Sequence, residues 1–81
     1  MLDNKQILEY AVKGLAADID KLKNDVIKGK KLIEQIDNGQ KPKTAKTRQE
    51  VASVISAKLD EIEKLEKELA NIRWQLDVEM N

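Results

Sequence analysis

The chain has 81 residues, no Cys, no His, and a formal net charge of zero made of 15 basic and 15 acidic residues. That length allows one small domain, and the missing residue types exclude disulfides, thiolate nucleophiles, imidazole bases and the commonest zinc ligands. Charged residues are 37% of the chain and aromatics 2%, with one Pro and three Gly, a balance that marks a long-helix or coiled-coil sequence.

The N-terminus carries Asp3 and Glu9 and no long apolar run, so it reads as neither a signal peptide nor a membrane span. A soluble, cytoplasmic protein is expected, and the lack of Cys agrees with a reducing compartment. Regular spacing of the apolar residues speaks against intrinsic disorder, the competing reading of so much charge.

In chain order, Asp3-Asn4-Lys5-Gln6 reads as a helix start, with Leu2 and Ile7 placed to form a hydrophobic staple. The first helix is expected over about residues 4–38. Asp37-Asn38-Gly39-Gln40-Lys41-Pro42-Lys43-Thr44 is the one loop-like stretch. Gly39 suits the left-handed position that ends a helix, and Pro42 prevents its resumption. Thr47-Arg48-Gln49-Glu50 reads as a capping box, so the loop spans about 39–47 and the second helix about 48–80. Each helix is then about 45–50 Å long. A connection this short makes them antiparallel neighbours.

The apolar spacing makes the hairpin specific. Leu8, Val12, Leu15, Ile19, Leu22, Val26, Gly29, Ile33 and Ile36 alternate by four and three, the seam of a coiled coil. Val51, Ile55, Lys58, Ile62, Leu65, Leu69, Ile72, Leu76 and Glu79 do the same. Folding at the loop pairs Ile36 with Val51, Ile33 with Ile55, Val26 with Ile62, Leu22 with Leu65, Ile19 with Leu69, Leu15 with Ile72 and Val12 with Leu76. The two irregular mid-seam positions, Gly29 and Lys58, fall in one layer. The expected reason is that the Lys stem crosses the space over Gly29 and carries its ammonium into water. The expected fold is therefore all-α, an antiparallel two-helix coiled-coil hairpin in a single domain. A parallel dimer of extended helices is the rival.

Two helices bury one stripe each, and this sequence has more apolar residues than that. Ile7 and Tyr10 lie off the seam on the first helix, as do Trp74 and Val78 on the second. All four belong to the end of the rod that holds the chain termini. Leu32, Val54 and Leu59 flank the seam nearer the loop. Each large apolar side chain left in water forgoes about 1.5–3 kcal/mol, so a homo-oligomer is expected, with a dimer forming a four-helix bundle favoured, or a protein partner. Ile7, Tyr10, Trp74 and Val78 are the expected contact residues, Trp74 foremost because Trp and Tyr are enriched at binding hot spots. Ala11, Gly14 and Ala17 offer a neighbouring helix a close approach.

Charge is uneven along the chain. From Lys21 to Arg48 there are nine basic residues against three acidic ones, and from Gln49 onward four against eight. Lys41, Lys43, Lys46 and Arg48 crown the loop end, with Lys28, Lys30 and Lys31 below. These residues make a nucleic-acid-binding hairpin the alternative function, although no aromatic is there to stack on bases. Glu61, Glu63, Glu66 and Glu68 cluster in sequence, but an exposed helix flank lacks the enclosure that shifts a catalytic carboxylate. A di-iron bundle site needs His, which is absent. No catalytic residue, metal ligand or cofactor is expected, and the chain reads as a non-enzyme.

Ser56-Ala57-Lys58-Leu59-Asp60 faintly resembles the signature of small sporulation phosphatases, matching it at Ser56, Leu59 and Asp60 only, and an ordinary heptad accounts for it. Over most of its length the chain resembles short helical-hairpin proteins of phages and prophages of Gram-positive bacteria. The likeness lies in Gly29-Lys30-Lys31-Leu32-Ile33, in Asn38-Gly39-Gln40-Lys41-Pro42-Lys43-Thr44, and in the Glu61-to-Leu69 repeat ending near Trp74. It implies an accessory role, binding or inhibiting a host or phage protein, and assigns no residues.

Overall fold

The computed structural model describes residues 3–40 and 47–80, with side chains described as far as Val78. Two helices, α1 (Asn4–Asp37) and α2 (Arg48–Met80), fold back on each other into a rod 56 Å long and 20 by 15 Å across. No helix among the described residues is long and apolar enough to cross a membrane.

Local chemistry sets the helix ends. The Asp3 carboxylate accepts from the Gln6 amide at 2.8 Å, and Gln6 Oε1 accepts from the Asp3 amide at 3.2 Å. These two bonds form a reciprocal capping box. Leu2, the other half of the expected staple, lies outside the described residues. At the far end of α1, the Gly39 amide donates to the Ile36 carbonyl at 3.0 Å and the Gln40 amide to Gln35 at 2.9 Å. With Asn38 as the C-cap this is the Schellman pattern, and Gly39 occupies it at φ 79°, where a Cβ would be strained. Pro42 lies outside the described residues. α2 opens where Thr47 Oγ1 accepts from the Glu50 amide at 3.2 Å, the threonine half of the expected capping box.

The seam is where the heptads put it. From Leu8 to Ile36 on α1 and from Val51 to Leu76 on α2, every seam residue is buried or half-buried. Ile19, Val26, Val51, Ile55, Ile62 and Leu69 form the buried core, and Val12, Leu15, Leu22, Ile33 and Leu65 pack against it. Leu32, expected as surplus, also packs half-buried against this core, whereas Val54 and Leu59 stay exposed.

The Gly29–Lys58 layer is built differently from the expectation. A Cβ on Gly29 would lie 2.8 Å from Ile55 Cγ1 and 2.9 Å from Ile55 Cδ1. Ile55, not the Lys58 stem, fills the space over Gly29. Lys58 does not send its ammonium to bulk water: Nζ donates to Asp25 Oδ2 at 2.9 Å, both side chains about one-third exposed. A cation at a half-buried position loses hydration, and a carboxylate one residue before the seam residue Val26 is near enough to replace it.

Candidate functional surface

The seam gives the rod two distinct flanks. On one, Lys23 pairs with Glu66 at 3.5 Å, and Ala16, Asp20, Ala70 and Arg73 line a shallow depression beside this pair. On the other, Asp25, Gly29, Leu32, Val51, Val54, Ile55 and Lys58 border a groove of about 200 Å³. Seven-residue spacing extends this groove flank along the rod: Ala11, Asp18, Asp25 and Leu32 on α1, and Val54, Glu61, Glu68 and Gln75 on α2. At the loop end this row of residues is apolar, and through the middle it is acidic.

Hydrogen bonding from Lys58 lowers the Asp25 carboxyl from its ordinary value against a smaller opposing effect of burial, and the nearby Lys28 and Lys21 charges add to the lowering. At the loop end Arg48 Nε donates to Asp37 Oδ1 at 2.8 Å, with a longer second contact at 3.4 Å. That hydrogen bond raises the Arg48 guanidinium further above its ordinary range. Arg48, expected among the residues free to hold an anion, is thus already paired. The sequence signal was present: the four-and-three alternation stepped back once from Val51 lands on Arg48, across the turn from Asp37. Lys41, Lys43 and Lys46 lie outside the described residues, while Lys28, Lys30 and Lys31 are exposed on the last turns of α1.

The four expected contact residues are all exposed: Ile7 by 52%, Tyr10 by 61%, Trp74 by 64% and Val78 by 55%. Helical geometry divides them. Tyr10 and Trp74 are almost diametrically opposite the seam of their own helices, so they point away from each other on the two outer backs of the rod. Ile7 and Val78 are turned about 60° from those backs toward the groove flank. The rod therefore does not gather the four into one patch. Lys13 Nζ stands 5.9 Å from the centre of the Tyr10 ring, a surface cation–π contact. Ile27, outside both the seam and the expected contact residues, is also about half exposed.

Among the described residues, no group of three or more carboxylates is placed to hold a metal ion. No protein-family model matches the chain, and neither does any curated protein or solved structure.

Proposed function

We propose that the chain is a protein-interaction module whose rigid seam holds apolar side chains out on the backs of its two helices for a partner to cover. The observation that carries this reading is Trp74, the most exposed large apolar residue of the described chain, on the back of α2 opposite the seam. A side chain of this kind gives a large contact area with few rotors to immobilise. A phage-type accessory role, with a host or phage protein as the partner, is the setting that the sequence resemblance implies.

The test is a double variant, Trp74→Ala with Tyr10→Ala. Its unfolding free energy from urea titration is expected to stay within about 0.5 kcal/mol of the parent, as for surface changes away from packing. Its binding to a protein captured and purified with the parent chain, read by calorimetry, is expected to fall at least about tenfold, or 1.4 kcal/mol. A loss of stability like that of a seam substitution would make these side chains structural and sink the reading. Salt-sensitive binding of a DNA duplex, lost in a folded Lys41→Glu, Lys43→Glu, Lys46→Glu variant, would replace it with the nucleic-acid function.

A further inference from the structure

The rod exposes 6382 Å², whereas a compact chain of 9.2 kDa exposes about 4,900 Å². The difference, roughly 1,500 Å² per chain, is more than the about 800 Å² that each partner buries in a standard interface. One broad flank of a rod 56 by 20 Å offers a footprint on the order of 1,000 Å², enough for such an interface.

The groove flank is suited to a copy of itself, and only end for end. Its loop end carries Leu32, Val54 and the groove beside Gly29. Its other end carries the small Ala11, with Gly14, Ile7 and Val78 one row further out. In between, Asp18, Asp25, Glu61 and Glu68 share this side with Lys21, Lys28, Lys58 and Lys64, four acids against four bases. The sequence is also polarised between loop and termini, its basic excess carried by Lys41, Lys43 and Lys46, which lie outside the described residues. From Lys21 to Glu66 there are eleven basic and eight acidic residues, and in the remainder four basic and seven acidic, or plus three against minus three. A parallel pair would bring the two basic loops together, and a pair joined only through the terminal ends would bring two acidic ends together. Reversing one rod sets plus three over minus three at both ends and lays the apolar loop end of each copy on the small-residue end of the other. Charge complementarity of this kind fixes orientation more than affinity.

We propose that a second copy of this chain lies antiparallel along the groove flank, burying Leu32, Val54, Ile7 and Val78 in a four-helix bundle. The proposal rests on the reading of the chain as an interaction module and deepens it. Tyr10 and Trp74 remain outside this bundle, free for the separate partner. Only a two-fold axis lying in the contact plane, across the rods, reverses them. That axis stacks α1 on α1 and α2 on α2, and every neighbouring helix pair is then antiparallel, as in up-and-down bundles.

The axis makes Val54 of each copy a neighbour of Gln75 in the other. Because the chain has no Cys, engineered thiols report contacts without background. Sedimentation equilibrium of the unaltered chain is expected to give twice the chain mass at micromolar concentration. An equimolar mixture of Val54→Cys and Gln75→Cys chains, treated with a short bis-maleimide and read by intact mass, is expected to give mainly the mixed species. Val54→Asp is expected to weaken dimerisation at least about tenfold while circular dichroism keeps its helical signal. A monomer at high micromolar concentration overturns the proposal. So does a predominance of Gln75–Gln75 or Val54–Val54 cross-links, which would place like ends together. Neither result touches the Trp74 and Tyr10 test, so failure of the dimer and failure of the partner surface are read separately.

Discussion

The loop half and the terminal half of the rod share one seam but not one degree of burial. All six buried side chains lie between the loop and the level of Ile19 and Leu69. Beyond that level Leu8, Val12, Leu15, Ile72 and Leu76 are all only half-buried, whereas on the loop side Leu22, Ile33, Ile36 and Leu65 alone among the apolar seam residues are. The rows beside the seam account for the difference. Near the loop they hold the larger apolar side chains Leu32, Val54 and Leu59. Near the termini they hold Ala11, Ala16, Gln75, Glu9 and Arg73, which are small or polar. A coiled-coil seam two helices wide is thus only as dry as its flanks.

The largest test of this contrast is a pair of truncations. Ile62→Ala is expected to lower unfolding stability by about 3 kcal/mol and Leu8→Ala by about 1 kcal/mol, in line with their different burial. Urea titrations at a single protein concentration measure both, because association would otherwise add to the apparent stability. Equal losses would mean that the terminal seam is as well sheltered as the loop half.

The two glycines within α1 sharpen the same contrast. No atom lies within 4 Å of a Cβ built on Gly14, whereas one on Gly29 strikes Ile55. Gly14→Ala is expected to stabilise the single hairpin by about 0.5–1 kcal/mol through helix propensity. Gly29→Ala gains the same propensity but must displace Ile55 from the middle of the core, and a net loss of about 1 kcal/mol is expected. Thermal melts of the two variants should move in opposite directions.

A smaller effect belongs to the Asp25–Lys58 pair. A carboxyl held below its unfolded value contributes stability that is fully present above that unfolded value and is lost as pH falls through the folded one. The urea midpoint of the parent should therefore fall more steeply below the ordinary aspartate range than that of Asp25→Asn. Parallel acid limbs would show that the hydrogen bond to Lys58 does not persist in solution.

The seam, the hairpin and both helix ends could be read from residue spacing because each depends on local rules: four-and-three alternation, Thr47 and Asp3 as caps, Gly39 as terminator. The alignment of Gly29 with Lys58 was also legible, but not what fills it. A lysine has enough rotamers to reach several partners, and the choice of Asp25 depends on how deep its stem lies once Ile55 has taken the space over Gly29. The placing of Tyr10 and Trp74 on opposite backs was available from helical geometry. Grouping them by their position along the rod, without their angle around it, concealed it. No catalytic or ligand motif offered a signal for the contact surface, so exposure in the folded chain had to supply it.

Gly29 also bears on which pairings the chain rejects. A heptad repeat is degenerate: slid by seven residues, its apolar stripes still face each other. Such a slide would set Ile55 against Leu22 or Ile36 in place of Gly29, and the space it needs exists at neither. The missing side chain therefore works as a keyway cut into a repeating thread. It admits one register and penalises shifted or borrowed partners whose isoleucine arrives a turn or two out of step.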